Sequence, residues 1–404
     1  MMITTDARAA HRRWLEEVTQ SPTAAGREGR VIEWVRRWVA GREGLAITED
    51  RHGNLVIAAP APWTRRTDRA SEAPVYFTAH LDHPAFVVER VIGPQTLQLA
   101  FRGGVMDDYF DQARVVVHTG AGARLGATLT GKAEGPDDYF KRFTAELDDG
   151  ASTDDVTTAD IATWELPGAE VIDGIFHTNA CDDLAAVAAA LAALDALRVR
   201  HEAGEAVGDA RVLLTRAEEI GFVGAIGACR EGTMPKNARV IALENSRSFE
   251  DSPIGGGPIV RVGDRLSIFS PPLTAAVAQR AEQIAGGPAA PTAQQKMSDL
   301  PKWRWQRKLM AGGACEATVF CNAGYEATCV CLPLGNYHNM ADLAAVQAGA
   351  FAGRPRVGRE FISLSDYEGL VDLLVACGES LTAGGAMAER IEKLWNERAF
   401  VLEE

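Results

Sequence analysis

The chain has 404 residues, 47% hydrophobic and 24% charged, which is ordinary for a globular protein and enough to bury one large core or two moderate ones. Its 55 acidic and 41 basic side chains leave a net charge of −14, which argues against a nucleic-acid or anionic-membrane partner, since both need clustered Lys and Arg. No apolar run reaches the length of a membrane span, and the opening stretch MMITTDARAAHRRWLEEV has no signal-peptide core, so a cytoplasmic location is expected.

Residues 6–19 and 27–40 carry helical periodicity, with Trp14, Val18, Val31, Trp34, Val35 and Val39 on apolar faces. SPTAAGREG between them is a turn and helix-start signal. GLAITEDRHGNLVIAAP then alternates about a His-Gly-Asn turn, and APVYFTAHLD has the continuous apolar character of a central strand. Over 87–166 the pattern changes to short alternating strands (FVVERVIG, TLQLAF, ARVVVHTG, ARLGATLTG) separated by Gly-containing turns, which reads as an all-β insert. Within it, the Asp- and Thr-rich stretch 137–160 is expected to be a surface loop or lid.

From residue 180 strands and helices alternate again. DDLAAVAAALAALDALRVR is a strong helix with Asp182 and Asp183 at the end where the macrodipole favours anions. ARVLLTRAEE, ARVIALENS and YEATCVCLPLG read as strands, and GAIGACREG, FSPPLTAAVAQRAEQIAG and LSDYEGLVDLLVACGESL as helices. The fold class is therefore α/β: a mostly parallel or mixed sheet sandwiched by helices, built from 1–86 and 167–404, with the β-rich domain 87–166 inserted. The seven cysteines include no CxxC pair, so buried reduced thiols are expected rather than a zinc knuckle.

Polar residues recur where the apolar strands end. His80 and Asp82 follow VYFTA, Glu218 and Glu219 follow RVLLTRA, Glu244 follows VIAL, His338 follows CVCLPLGNY, and Asp182 opens a helix. Each alone has a structural reading: a satisfied His, a helix cap or a solvated acid. Together they sit where open α/β sheets gather ligands, and two His with several carboxylates suit one or two divalent cations.

The series AHLDHPAF, ACDDLAAV, TRAEEIGFVGA, VIALENS and LPLGNYHNM resembles the TET-type dinuclear metallo-aminopeptidases, a family of deblocking, glutamyl and lysyl aminopeptidases related to the zinc-dependent acylases and carboxypeptidases. DRHGNLVIA, GGGPIVRVGD and MAGGACEATVF resemble further family segments, and the β insert between His80 and Asp182 falls where that family carries one. The resemblance implies two divalent ions per subunit, zinc first with cobalt or manganese as alternatives. It implies that His80 and Glu244 hold one ion, Glu219 and His338 the other, and Asp182 both. Glu218 would be the general base and Asp82 the acceptor that orients the His80 ring. It further implies short peptide substrates and a homo-oligomer, possibly of the dodecameric kind.

Departures from the family pattern include Glu244 for a usual Asp, His83 for a usual Glu, Glu316 for an Asp, and Gly335-Asn336 for an Arg-Tyr pair. Side-chain specificity is therefore left open. In a strand His80 and Asp82 share a face while His83 points away, so His83 is expected in the cleft wall or the hinge into the insert, not on a metal. His177 is expected to be structural. An N-acyl amino acid amidohydrolase or carboxypeptidase is the competing enzyme class, although no Arg for a substrate carboxylate is identifiable. A catalytically inactive metal-binding scaffold is the third reading, and the presence of Glu218 argues against it.

Overall fold

A computed structural model describes residues 3–61, 63, 73–136, 139–289, 303–381 and 385–402. Helix α1 (Thr5–Thr19) starts where the Thr4 hydroxyl accepts the Ala7 N–H, the usual Ser/Thr solution for an orphan helix donor. In α2 (Gly29–Ala40) the buried side chains Val31, Trp34, Val35, Trp38 and Val39 recur every three or four residues. Fully burying a side chain of this kind is worth about 1.5–3 kcal/mol, so this one stripe fixes the helix against the core.

The hairpin β1 (Ala46–Glu49) and β2 (Leu55–Ala58) precedes the buried strand β3 (Val75–His80). Six strands then form a closed barrel: β4 (Ala85–Val91), β5 (Thr96–Arg102), β6 (Arg114–His118), β7 (Arg124–Lys132), β8 (Lys141–Leu147) and β9 (Ile161–Trp164). Phe86, Phe101, Phe110, Phe143 and Trp164 fill it, with Phe110 and Phe143 stacked at 4.3 Å. The expected loop over 137–160 is thus corrected: Lys141–Leu147 is a barrel strand whose Phe143, Ala145 and Leu147 face the barrel core. Its period-2 pattern was masked by the acids that follow it. Residues 137 and 138 lie outside the described residues.

The chain returns through β10 (Glu170–Ile172) and β11 (Ile175–Thr178), which pair with the later β17 (Glu360–Ser363) in a three-stranded sheet. Helix α3 (Leu184–Glu202) follows, an Ala/Leu-rich segment buried all round over Leu184–Leu194, as a helix crossing the inside of a domain must be. Then come β12 (Ala210–Thr215), α4 (Val223–Glu231), β13 (Arg239–Arg247), β14 (Ile259–Asp264), α5 (Pro271–Ala285), β15 (Gln306–Met310), α6 (Glu316–Asn322), β16 (Glu326–Leu334), α7 (Leu343–Gln347), α8 (Leu364–Glu379) and α9 (Gly385–Arg398).

The main sheet has the order β1-β2-β12-β3-β13-β16-β14-β15, and its four central strands β12, β3, β13 and β16 are mutually parallel. Helices α1, α2, α3, α5 and α8 contribute to the core on one face and α4 and α6 to that on the other, the mixed sheet between helices expected for the α/β class. All seven cysteines are free. No helix among the described residues is long and apolar enough to cross a membrane.

Candidate metal centre

Four adjacent parallel strands deliver their ends to one place. His80 is the last residue of β3, Glu218 and Glu219 follow β12, Glu244 lies in β13, and His338 follows β16. Asp182 comes from the turn before α3, joined to Asp183 by a cis peptide bond. His80, Asp182, Glu218, Glu219, Glu244 and His338 are thereby brought to one place. His80 Nε2 is 3.4 Å from Asp182 Oδ1 and 3.9 Å from Glu218 Oε2, while His338 Nε2 is 3.5 Å from Asp182 Oδ2 and 3.4 Å from Glu219 Oε2. Three sets each offer ligand atoms within 4.8 Å of one another: His80, Asp182, Asp183 and Glu244; His80, Glu218 and Glu219; Asp182, Glu219 and His338.

Hydrogen bonds from behind fix both histidines in the same sense. His80 Nδ1 donates to the Asp82 carbonyl at 3.0 Å and His338 Nδ1 to the Gly104 carbonyl at 2.6 Å, which turns both Nε2 lone pairs into the cluster. Gly104 follows barrel strand β5, so the barrel segment helps aim a histidine at the end of the main sheet. The neighbouring Gly103 must be glycine: its φ is +139°, and a Cβ there would lie 2.6 Å from Pro84 Cβ. His338 itself has φ +54°, and Asn336 (+52°) and Asn339 (+63°) are left-handed as well, a backbone region uncommon outside glycine in which Asn and His are enriched. The His338 N–H donates to Glu360 Oε1 at 2.8 Å, and Glu360 Oε2 accepts the Cys181 and Asp182 N–H groups.

Asp82 differs in detail from the sequence expectation. Its carboxylate accepts the backbone N–H groups of Glu218 (2.9 Å) and Glu219 (3.1 Å) and stands 3.6 Å from His80 Nδ1. Two consecutive backbone donors, presented by a turn with Ala217 at φ +53°, outcompete one ring N–H for the two carboxylate oxygens. Both ring nitrogens of His83 face protein oxygens and not the cluster: Nδ1 makes a close contact with the Asp182 carbonyl oxygen and Nε2 lies 2.9 Å from Asn339 Oδ1. His177 lies outside the cluster, packed on Phe361 at 5.1 Å.

The electrostatics call for a cation. Burial works against ionisation of Asp182, but the imidazoles of His338 and His80 outweigh it and hold its carboxyl below the usual range. Burial, with the charge on Asp182 next, pushes Glu219 and Glu244 up, and burial also pushes Glu218 up against the pull of His80. His80 Nε2, Asp182 Oδ1 and Glu219 Oε1 are buried without any hydrogen-bond partner. Orphaned ligand atoms among buried like charges fit a bound divalent ion, the donor set being imidazole and carboxylate.

Four further residues were not found from sequence: Glu360, Gly104, Asn245 and Arg261. Asn245 donates to the Cys181 carbonyl (3.0 Å) and to Asp183 Oδ1 (2.8 Å). Arg261, 2% exposed, lines the same cleft as Asp182, Glu218, Glu219 and Glu244. Its Nη1 donates to Ser246 Oγ at 3.2 Å, its Nε has no acceptor, and no carboxylate ion-pairs with it among the described residues. The one sequence signal was an Arg in the otherwise apolar strand run PIVRV.

Known proteins give a consistent picture. The family model for M42 glutamyl aminopeptidase matches residues 63–285. No curated protein matches the chain. Among solved structures, the chain is similar to aminopeptidase APDkam598 from Desulfurococcus kamchatkensis (TM-score 0.69, 19% identity, 93% of this chain and 96% of that one). It is similar to the TET aminopeptidase of the marine sediment archaeon Thaumarchaeota archaeon SCGC AB-539-E09 (TM-score 0.69, 18% identity, 92% and 97%). It is also similar to the Pyrococcus horikoshii TET1 peptidase, which can assemble into a tetrahedron or a large octahedral shell (TM-score 0.65, 21% identity, 92% and 100%). At these identities the likeness speaks for the fold alone.

Proposed function

The chain belongs to the M42 glutamyl aminopeptidase family, a family of metal-dependent peptide hydrolases, and from that membership we propose a dinuclear aminopeptidase that removes N-terminal residues, acidic ones by preference, from short peptides. The observation that carries the reading is Asp182, common to two ligand sets that otherwise divide into His80, Asp183 and Glu244 on one side and Glu219 and His338 on the other. A carboxylate offered to both sides is the arrangement a pair of ions needs. Zinc is the first candidate, with cobalt and manganese close behind for a His and carboxylate set.

Divalent ions held there supply the positive charge that acidifies a water and polarises a peptide carbonyl. The protein does the rest. Glu218, to which this reading gives no ion, takes a proton from the attacking water and returns it to the departing amine. Burial raises its proton affinity, which suits a group that must carry a proton between two steps. The Asp82 carboxylate holds the Glu218 and Glu219 backbone, so the proton carrier and its ligand neighbour keep their separate directions.

The surrounding carboxylates favour a substrate ammonium, hence a free N-terminus, and Arg261 offers the only cation buried in that cleft wall among the described residues. An acidic first side chain satisfies it. Arg261 also gives the carboxypeptidase reading the cation it lacked, so blocked and free substrates must be compared. The metal-loaded protein is expected to cleave peptides with a free N-terminal Glu or Asp and to spare their N-acylated counterparts; hydrolysis of blocked peptides alone would overturn the proposal.

A homo-oligomer, of tetrahedral dodecamer type, completes the reading. Ile391, Leu394 and Trp395 of α9 are 59%, 42% and 59% exposed, and Phe400, Val401 and Leu402 follow at 54% or more. An apolar stripe of this kind on a short helix supports burial against a second copy.

A further inference from the structure

Tyr337 precedes His338 and carries a group that neither the fold nor the proposed proton transfer uses. Its ring is half-buried where the core of the main sheet meets the core of the barrel. It stacks on the His338 imidazole with ring centroids 3.7 Å apart and planes at 24°. The turn that presents it is pinned on both sides: Asn336 Nδ2 donates to the Arg359 carbonyl at 2.8 Å, and the His338 N–H donates to Glu360. Packing on one side and these bonds on the other hold the aromatic body in place.

Its hydroxyl is left over. A packed tyrosine usually finds a partner for its O–H, and others in this chain do: Tyr109 donates to the Ala341 carbonyl at 2.6 Å, Tyr325 to the Met234 carbonyl at 3.0 Å and Tyr367 to the His11 carbonyl at 3.2 Å. The Tyr337 hydroxyl has no hydrogen-bond partner among the described residues, yet it is not sealed in the interior. It therefore opens on the space its residue lines, which is the metal cleft of about 390 Å³. The stack keeps the whole phenol within a ring's length of His338, whose Nε2 lies 3.5 Å from Asp182 and 3.4 Å from Glu219. The charges that act on it most strongly are those of Asp182, Glu219, Glu244 and Glu218. Two other donors of the cleft are already spent: the Asn245 amide on the Cys181 carbonyl and Asp183, and Arg247 Nη1 on Gln347 Oε1.

We propose that Tyr337 is a further catalytic residue, its hydroxyl donating a hydrogen bond to the scissile carbonyl oxygen as that oxygen takes up negative charge. The role rests on the hydrolysis proposed above. The free O–H needs an acceptor, and the reacting groups offer one. A substrate ammonium brings only donors, which the carboxylates meet, and the attacking water gives its proton to Glu218. The carbonyl oxygen remains. When water adds, the carbonyl π pair moves onto that oxygen, and it returns to re-form the C=O bond as the amine leaves with the proton from Glu218. Tyr337 keeps its own proton throughout, as a phenol of ordinary pKa about 10 does near neutrality. In a cleft lined with carboxylates a new negative charge is disfavoured, so a donor already fixed beside it counts for more than the same donor in water.

The test compares metal-loaded, full-length wild type with Tyr337→Phe, which removes one oxygen and keeps the ring on His338. Both are assayed on trialanine and titrated calorimetrically with the phosphinic analogue of Ala-Ala, whose tetrahedral P–O⁻ stands where the oxyanion forms. The variant should hold the same amount of divalent ion as wild type. Its kcat should fall by about 10²-fold with KM within about threefold, the pattern of a contact made only in the transition state. The phosphinate should bind it at least tenfold more weakly than it binds wild type. Unchanged kcat or unchanged phosphinate affinity would overturn the proposal. So would a rise in KM alone, which marks ground-state binding, or a loss of bound ion, which would make the hydroxyl a support for His338. A wild type that cleaves only N-acylated peptides would instead overturn the aminopeptidase reading, and the same kcat comparison on those peptides would still decide the role of Tyr337.

Discussion

Replacing Arg261 with Met removes the one buried cation of the cleft wall while keeping a long side chain in its place. Arg261 is 2% exposed, its guanidinium donates to a neutral hydroxyl at 3.2 Å and lies 5.9 Å from the Phe269 ring centroid, and its Nε has no acceptor among the described residues. A substrate carboxylate there would form charge-assisted hydrogen bonds, and truncating one partner of a buried charged pair costs about 2–5 kcal/mol. At about 1.4 kcal/mol per factor of ten, kcat/KM for a peptide with N-terminal Glu should fall by about 30-fold to a few thousandfold. The same constant for an N-terminal Ala peptide should move by no more than about threefold, because nothing in that side chain reaches the cation. The melting temperature should hold or rise, since an unpaired buried charge is itself a cost. The assay is a side-by-side measurement of both peptides on both proteins. An unchanged Glu-to-Ala ratio would refute the role given to Arg261.

Metal analysis separates the two neighbouring histidines: His80→Ala should lose bound divalent ion, whereas His83→Ala, whose ring nitrogens already face protein oxygens, should keep the full complement. Metal loss in the second variant would contradict that division. Burial pushes the pKa of His11 down to about 4, so its contribution to stability is complete above about pH 6.5 and is lost as pH falls from there towards 4. In that window the unfolded chain binds the extra proton, and the loss sums to about 3 kcal/mol. His11→Gln should therefore flatten the acid limb of stability measured by urea melts between pH 4 and 7; parallel limbs would count against it. Ile391→Glu combined with Trp395→Glu should yield a smaller particle by light scattering, and an unchanged mass would remove α9 from the assembly.

How far the sequence carried the reading depended on where each signal lay. His80, Glu218, Glu219, Glu244 and His338 stood out because polar groups at the ends of apolar strands are conspicuous, and parallel strands bring such ends together. The partners that aim them did not. Gly104 acts through a carbonyl that every residue has, and Glu360 looks like any acid opening a strand. Asn245 hides behind Glu244. Arg261 meets the cleft only because β14 lies antiparallel beside β16. The role of Asp82 was misread in detail because sequence spacing ties it to His80, whereas the fold presents it with two backbone donors from residues far along the chain. The β-rich character of the insert was readable from its alternation, but not its closure into a barrel, nor the strands Lys141–Leu147, where nearby acids obscured a period-2 pattern, and Ile161–Trp164.

The central claim is that Glu218 moves the proton while the residues around it hold the ions. Glu218→Gln keeps the side chain's shape and its backbone hydrogen bond to Asp82, and removes the basic oxygen. Bound divalent ion and peptide turnover, measured together on wild type and this variant, test the claim most directly. Both proteins should bind two ions per chain, with turnover in the variant lower by about 10²–10⁴-fold. A variant that turns over peptides at the wild-type rate with both ions bound would contradict the account.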